Sequence, residues 1–498
     1  MNEVFGLAAH HLLLAAAALG LALVVALPLG LVAARRPRLA AASLGVAGVI
    51  QTIPGLALLA LFYPLLLAIG HGLPALGFLP AWLALALYAL LPVLRNVVAG
   101  LRGLDPAVIQ AADGLGMTAW QRLRMVEAPL AAPVVMAGIR TATVWTIGAA
   151  TLATTVGASS LGNLIFSGLQ MEDWTQVLTG CLASAGLALA ADALLALVER
   201  GLAKRERWSL LLGMAGVAIA LLLACAPMLG SRAPRSVVVG AKDFAEQFIL
   251  ARLIGDRLEK AGYNVTYRQG LGSVVALHAL ENGDIDVYVE YSGTIWDTLQ
   301  RPPVSREKML AGIVDTLRPS GAALVGSLGF ENAYALAMKR SVAAAHHVDD
   351  LQGLAAAAPS LNLGADLEFM ERPAWRSVRD GYGLRFATTR AYSPSFMYRA
   401  LDSGQVDVIS AFSSDGRIPA DDLVVLRDPR HAMPAYDAIL LASPAHAHDR
   451  RFLEALMPLV GAIPVATMQR ANYMIDRDTG KSTPEAAAQW LAANIAVK

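Results

Sequence analysis

The sequence predicts a two-part fold: an all-α transmembrane half of about six spans, followed by an α/β domain of two lobes. Hydrophobic residues make up 56% of the 498 positions and charged residues only 16%, well below the ~25% charged that is usual for soluble domains. The charges are also unevenly placed. The first 230 residues are rich in Leu, Ala and Val, whereas the remainder has the composition of an ordinary soluble domain.

The predicted spans are runs of about twenty apolar residues, the length that a helix needs to cross a bilayer core. Loops rich in Arg or Lys follow the first, third and fifth spans, at Ala34–Arg38, Leu101–Leu130 and Glu199–Arg207. The positive-inside rule makes that side cytoplasmic, so everything after residue 230 is expected on the outer face of a membrane. The six spans lie at roughly 11–33, 43–68, 78–99, 133–155, 177–198 and 208–229.

The stretch from Thr154 to Leu169 is apolar but also rich in Gly and Ser. Two interpretations remain open for it. It is either a short or broken helix that lines a path or a close chain contact, or a loop that dips into the membrane interface.

The C-terminal half alternates β-type and helical runs, an order that predicts a parallel sheet with helices on both faces. The pattern occurs twice. The segment "GDIDVYVEYSGT", from Gly283, and the segment "GQVDVISAFSSD", from Gly404, are the same strand in two lobes, and they place Tyr291 and Phe412 at equivalent ends. Because open α/β sheets bind ligands beyond the carboxyl ends of their strands, we expect the two rings to meet across a cleft.

The domain boundaries follow from these patterns. Segments that begin with Tyr334 and Tyr436 fall where the chain would pass between the lobes, and two crossing strands make a hinge suited to closure around a ligand. The predicted boundaries are 1–230 for the transmembrane domain with its cytoplasmic loop at 101–130, and 233–498 for the outer domain, with lobe one at about 236–332 and 437–498 and lobe two at about 335–432.

Four aromatic residues therefore point to one place in the outer domain, although core packing is the commoner role for any one of these tyrosines taken alone. Rings packed around a cation that has no N–H to donate suit a quaternary ammonium group. Two cations that follow predicted strands could clamp a carboxylate. The candidate binding residues are Lys242, Tyr291, Thr294, Tyr334, Arg372, Phe412 and Tyr436.

The loop segment "QAADGLGMTAWQRLRMVEAPLAAPVV" resembles the EAA motif of ABC importer permeases. Ala111, Ala112 and Gly116 match the motif, Pro129 stands where the motif has Leu-Pro, and Gln110 replaces its Glu. The resemblance implies that this loop is the coupling helix, which sits in a cleft of a separate ATPase subunit. The alternative is an ordinary amphipathic connector.

Residues 236–498 resemble the substrate-binding proteins of osmoprotectant importers for glycine betaine, carnitine and choline, through "AKDFAEQFIL", "VEYSGTIWDTL", "GFENAYALAM" and "SAFSSDGRI". The fold implied is that of a two-lobed periplasmic binding protein. The resemblance assigns the ligand carboxylate to Lys242, Thr294 and Arg372 and the aromatic cage to the three tyrosines. Phe412 stands where the family often has Tyr, and Asp243 stands where Asn is common, so both affect which ligand is expected.

These resemblances predict a permease fused to its substrate-binding protein, in a type I ABC importer of the bacterial cytoplasmic (inner) membrane, multi-pass and in contact with lipid. The expected cargo is a quaternary-ammonium compound such as glycine betaine, carnitine, choline or ergothioneine. A membrane-tethered sensor for the same solutes is the main alternative, and a ligand-gated channel is a second one.

No enzymatic activity, cofactor or metal site is expected in the chain. The segment "TGKST" lacks the first glycine of a P-loop, because Ile475 occupies that position. ATP is therefore expected on a partner ATPase. One coupling loop per chain implies two permease chains, most simply a homodimer, and the net charge of +1 predicts no nucleic-acid partner.

Overall fold

The computed structural model describes residues 2–69, 73–171, 173–229, 236–299, 301, 304–392, 394–477 and 479–495. The chain forms two compact units, the first from Met1–Gly168 and Trp174–Ser231, the second from Leu169–Asp173 and Arg232–Lys498. The boundary predicted from the sequence between residues 230 and 233 lies outside the described residues.

The first unit is helical, as predicted, and its helices are long and apolar. Helix α1 (Asn2–Arg35) contacts α4 (Phe78–Arg102) closely, and Ala18, Ala22 and Ala26 are buried along α1. Small side chains let helix backbones approach each other, which drives packing where no water is available to be expelled. The helices are α1 (Asn2–Arg35), α2 (Pro37–Thr52), α3 (Gly55–Ile69), α4 (Phe78–Arg102), α5 (Pro106–Gly114), α6 (Ala119–Arg122), α7 (Ala128–Ala150), α8 (Gly162–Gln170), α9 (Trp174–Lys204) and α10 (Arg207–Leu229).

Five helices of the described residues are long and apolar enough to cross a membrane, or six spans if the bent pair α2 and α3 counts as one. That pair is where the predicted continuous span at 43–68 is wrong. The two helices meet at an angle of 100°. Pro54 causes the break, since the residue before a proline is pushed out of the helical region, and Ile53 is extended, with ψ 127°.

The stretch from Thr154 to Leu169 is a broken helix, the first of the two interpretations. A 3₁₀ turn at Thr151–Val156 ends at Gly157, whose φ of 78° is left-handed, and α8 then begins at Gly162. Gly162 sits so close to the carbonyl of Thr151 that a Cβ would lie 1.8 Å from its oxygen. Only glycine allows the chain to double back this tightly.

The second unit contains two five-stranded sheets. The first has the strand order β2-β1-β3-β10-β4 and the second β7-β6-β8-β5-β9. The strands are β1 (Ser236–Lys242), β2 (Asn264–Leu271), β3 (Val287–Tyr291), β4 (Ala323–Glu331), β5 (Tyr334–Lys339), β6 (Asn362–Asp366), β7 (Thr388–Tyr392), β8 (Val408–Phe412), β9 (Leu423–Val425) and β10 (Asp437–Ala442).

Helices cover these sheets, as the alternating pattern predicted. The core includes Ile249 and Leu258 of the first helix after β1 together with strand residues such as Val289. The helices are α11 (Ala245–Lys260), α12 (Ser273–Glu281), α13 (Ser292–Thr298), α14 (Arg306–Leu317), α15 (Arg340–Ala345), α16 (Leu351–Ala357), α17 (Leu367–Glu371), α18 (Pro373–Tyr382), α19 (Pro394–Asp402), α20 (Arg417–Ala420), α21 (Arg450–Leu456), α22 (Val465–Asp476) and α23 (Pro484–Asn494).

The prediction of parallel sheets is only partly right. Strands β1, β2 and β3 are parallel, and so are β6, β7 and β8. However, β10 runs antiparallel between β3 and β4, and β5 runs antiparallel to β8 and β9. The reason is the crossing chain: β5 and β10 each enter one sheet directly from the other, at the end where the parallel strands finish, and so must run the opposite way.

Candidate functional site

A cavity of about 390 Å³ lies in the second unit. The structure brings all seven candidate residues predicted from the sequence to its lining. They are Lys242, Tyr291, Thr294, Tyr334, Arg372, Phe412 and Tyr436. Asp243 also lines the cavity, which the sequence left open.

The ends of four strands position the aromatic residues. Tyr291 is the last residue of β3 and Phe412 is the last of β8, the two strands with the repeated sequence. Tyr334 begins β5 and is paired with Phe412 in the antiparallel register, while Tyr436 directly precedes β10. The ends of the parallel strands β3 and β8 and the beginnings of the crossing strands β5 and β10 therefore lie at one place, the cavity.

Three of the four rings form a cluster centred on Tyr334. Its ring centroid lies 4.9 Å from that of Phe412 and 5.6 Å from that of Tyr436, the latter edge-on. Phe369 stacks on the same tyrosine at 4.8 Å. Phe369 was missed in the sequence, although it lies in the short helix that precedes Arg372. Such a cluster presents π faces and ring edges in fixed orientations.

Tyr291 belongs to a different wall of the cavity. Its ring stacks on Phe244 at 6.1 Å. Its hydroxyl donates to Glu246 Oε1 at 2.5 Å and accepts from Gln247 Nε2 at 3.1 Å. Tyr291 is thus held by hydrogen bonds from helix α11, whereas the Tyr334 cluster is held by ring packing.

Lys242 is buried and paired with an acid. Its Nζ lies 2.5 Å from Glu290 Oε1, and the side chains are only 4% and 1% exposed. The same ammonium lies 4.7 Å from the ring centroid of Tyr291. A buried lysine needs such a partner, since an unpaired buried charge is costly. Glu290 is a residue that the sequence analysis did not single out.

Arg372 is also paired, with Asp297. Its guanidinium Nη1 lies 3.5 Å from Asp297 Oδ2, and the side chains are 12% and 9% exposed. The hydroxyl of Tyr436 donates to the same carboxylate oxygen at 2.7 Å, and the guanidinium lies over Tyr334 at 5.6 Å. Burial raises the pKa of Asp297, while the hydrogen bond from Tyr436 and the charge of Arg372 oppose that rise.

A buried carboxyl group, that of Glu246, is part of the cavity lining. Glu246 accepts hydrogen bonds from Tyr291, from Asn332 Nδ2 at 3.1 Å and from Asn472 Nδ2 at 2.7 Å. Burial raises the pKa of Glu246, and these donors counteract the rise. Asn332 lies between β4 and β5, so this carboxyl group ties a crossing segment to helix α11.

The loop predicted to couple to an ATPase lies in the first unit and consists of two short helices and a π-helical turn. Helix α5 ends at Gly114, and Gly116 has a left-handed φ of 73°. Met117 donates its N–H to the Ala112 carbonyl, the pattern of a glycine C-cap. A capping box of Thr118 and Gln121 starts α6, and a π-helical turn, Leu123–Glu127, leads into α7.

Of the predicted coupling residues, Ala112 is buried, whereas Gln110, Ala111, Gly116 and Pro129 are exposed. The loop also exposes large apolar side chains, which include Leu115 at 78% and Trp120 at 67%. Exposed apolar groups around a glycine break make a surface suited to a partner's groove.

Two family models match the chain, and together they define its class. Residues 235–493 match the substrate binding domain of ABC-type glycine betaine transport systems. Residues 26–204 match the inner membrane component of binding-protein-dependent transport systems. The chain thus carries a membrane permease domain and a substrate-binding domain of ABC importers.

Known proteins with both domains or with one of them are similar to the chain. The ergothioneine transport permease/ergothioneine binding protein EgtU of Helicobacter pylori is 30% identical over 476 residues, 92% of this chain and 84% of the relative. The osmoprotectant import permease protein OsmW of Salmonella typhimurium is 45% identical over 186 residues, 37% of this chain and 85% of the relative. A solved structure titled as a glycine betaine/carnitine/choline ABC transporter is 28% identical, covers 51% of this chain and 96% of that chain, and has a TM-score of 0.46.

The chain therefore belongs to the family of osmoprotectant-type ABC importers, as a permease fused to its substrate-binding domain. The family implies that an ATPase subunit and a small solute act together with it.

Proposed function

We propose that the chain takes up a quaternary-ammonium compound, such as glycine betaine, carnitine, choline or ergothioneine. The observation that carries this proposal is the cluster of Tyr334, Phe412 and Tyr436 at the lining of a cavity of about 390 Å³. A quaternary ammonium group has no N–H, so it is recognised by π faces rather than by hydrogen-bond acceptors, with ~0.5–2 kcal/mol from each contact.

The seven predicted residues act together as the binding site in this proposal. In this proposal the ammonium group lies against the cavity-facing side of the packed rings of Tyr334, Phe412 and Tyr436, and Tyr291 forms a further wall. The other end of the ligand lies toward Arg372, Lys242 and Thr294, the residues predicted to meet a carboxylate. Phe369 and Asp297 join the site, because Phe369 stacks on the central ring and Asp297 binds both Arg372 and Tyr436.

The coupling loop supplies the link to ATP hydrolysis. We propose that Gln110, Ala111, Ala112, Gly116 and Pro129, with the exposed side chains around them, form the element that docks in a cleft of a separate cytoplasmic ATPase. ATP binding by two such subunits would draw two coupling loops together and open the path inward. A homodimer of this chain provides the two loops.

The location follows from the loop charges. The basic loops of the first unit lie on the cytoplasmic side of the inner membrane, and the binding domain lies on the outer side, where it meets the solute first.

Calorimetric titration of the full-length chain in detergent micelles with glycine betaine, carnitine, choline and ergothioneine tests the proposal. We expect saturable heat with at least one of them and its loss in the Arg372→Ala and Phe412→Ala variants. The Asp380→Asn variant serves as a matched control, because Asp380 is an exposed acid paired with Arg379 and does not line the cavity. Absence of heat with all four ligands, from a folded protein, would refute the proposed ligand class.

A further inference from the structure

Both cations predicted to clamp a ligand carboxylate already hold a carboxylate of the chain. Lys242 is 2.5 Å from Glu290, and Arg372 is 3.5 Å from Asp297. All four side chains are at most 12% exposed. A ligand carboxylate would therefore share each cation with a buried resident acid, and it would be repelled by that acid.

The charged side chains around the cavity also include more acids than cations. Four cationic side chains line it: Lys242, Arg372, Arg417 and Lys481. Five acidic side chains line it: Asp243, Glu246, Asp366, Asp415 and Asp476. Glu290 and Asp297 bind two of the lining cations from behind. Acids therefore outnumber cations seven to four among the described residues at the site.

Burial of Glu246 and Asp476 raises the pKa of both carboxyl groups, that of Asp476 to about 7. With both of them protonated, five acids face four cations, and the excess then depends on the charge of Asp297, whose pKa burial also raises and whose pairing with Arg372 opposes that rise. A zwitterion with a lone carboxylate brings no net charge to offset this excess, whereas a cation does.

The position of Asp297 gives it a direct effect on the ligand. Its carboxylate accepts from the hydroxyl of Tyr436, a ring of the aromatic cluster, and binds the guanidinium that lies over Tyr334. Asp297 is thus separated from the proposed ammonium position by the side chain of Tyr436, and it contacts Arg372, which is predicted to bind a carboxylate. A negative charge at this point favours a cation in the cluster and disfavours a carboxylate beside Arg372.

We infer that Asp297 and Glu290 are specificity-determining residues, which make the cavity select a quaternary-ammonium ligand whose second polar group is a hydrogen-bond donor over one whose second polar group is a lone carboxylate. The inference rests on the proposed function. Choline and glycine betaine are a suitable pair of probes, because they share the trimethylammonium group and differ at the other end, a hydroxyl against a carboxylate.

The test is calorimetric titration of the full-length chain in micelles with both probes, in the wild type and in Asp297→Asn. We expect the wild type to bind choline more tightly than glycine betaine. Asp297→Asn should weaken choline and strengthen glycine betaine, so that the ratio of the two Kd values shifts by about tenfold or more, as expected for removing one charge that contacts both Tyr436 and Arg372 at the lining.

Glu290→Gln should shift the ratio in the same direction, through Lys242, and Asp380→Asn should leave it unchanged. A purely structural role of Asp297 would weaken both ligands equally, so an unchanged ratio in Asp297→Asn would overturn the inference. Tighter binding of glycine betaine by the wild type would also overturn it, even if no variant folds, and would leave the proposed function intact. Binding of neither probe, nor of carnitine or ergothioneine, would instead refute the proposed function and this inference with it.

Discussion

Tyr334 is the side chain on which the proposed recognition depends most directly, because its ring contacts those of Phe369, Phe412 and Tyr436. Substituting Tyr334→Leu keeps an apolar side chain of moderate size but removes the π face. A cation–π contact contributes up to about 2 kcal/mol when it is shielded from water, and Tyr334 is only 7% exposed. Since 1.4 kcal/mol corresponds to a tenfold change, the Kd should rise roughly 10- to 30-fold.

Tyr263→Leu is the matched control. Tyr263 is also 7% exposed and also packs edge-on against a ring, that of Phe452 at 5.8 Å, but it does not line the cavity. Both variants should lose stability, by roughly 1–3 kcal/mol, through lost ring contacts. Only Tyr334→Leu should lose affinity in calorimetric titration of the full-length chain. A folded Tyr334→Leu protein whose Kd is within twofold of the wild type would refute the aromatic-cluster account.

Glu127 is buried and accepts from two arginine side chains at the base of the coupling loop; Glu127→Gln should reduce ligand-stimulated ATPase activity of the assembled transporter severalfold without changing the ligand Kd. Burial raises the pKa of Asp476 to about 7 despite the charge of Arg417. Because the unfolded carboxyl group ionises near 3.8, the free energy of unfolding should fall as pH rises from about 4 to 7, and Asp476→Asn should flatten that slope in thermal melts. A Cβ at Gly293 would lie 2.6 Å from the ring of Tyr436, so Gly293→Ala should displace that ring and raise the Kd severalfold in the same titration, and an unchanged Kd would contradict the placement of the ring.

The local repeat in the sequence was sufficient to predict which strand ends carry two of the candidate residues. Two copies of one strand pattern placed Tyr291 and Phe412 at strand ends, and the structure places both at the cavity. Gly116 was identified by its match to the EAA motif, and it lies just after the end of helix α5 in a left-handed conformation that few other residues adopt. Signals of this kind lie within a few residues of each other and need no knowledge of the fold.

The two ion pairs of Lys242 and Arg372, the cations predicted to bind a ligand carboxylate, could not be predicted from local sequence. Lys242 binds Glu290, which lies 48 positions away in the sequence. Asp297 lies in helix α13, next to the first sheet, whereas its partner Arg372 directly precedes helix α18, next to the second sheet. Such contacts depend on which strands and helices become neighbours in the fold. The residues next to an acid in the sequence do not indicate which distant cation it will bind. For the same reason, the antiparallel direction of β5 and β10 required the path of the chain between the two sheets, which periodicity does not encode.

In the membrane half, the sequence did contain a local signal for the helix break that the predicted span at 43–68 did not include. The predicted span at 43–68 contains Pro54 followed by Gly55, and the structure bends by 100° at that point. Proline removes a helical hydrogen bond and restricts the preceding residue, so a run of apolar residues of sufficient length was not enough to predict one straight helix.

In the function proposed for it, this chain moves a quaternary-ammonium solute across the membrane and does not merely sense it. The most direct measurement is uptake of the radiolabelled ligand that the titrations identify, in cells that produce the wild-type chain, no chain, or Leu115→Glu, which places a charge on the exposed coupling loop. We predict saturable uptake with the wild type and loss of uptake in the other two, while purified Leu115→Glu binds the ligand with unchanged Kd. Uptake that is equal in all three cells, from a chain that binds the ligand, would contradict the account and favour a sensor.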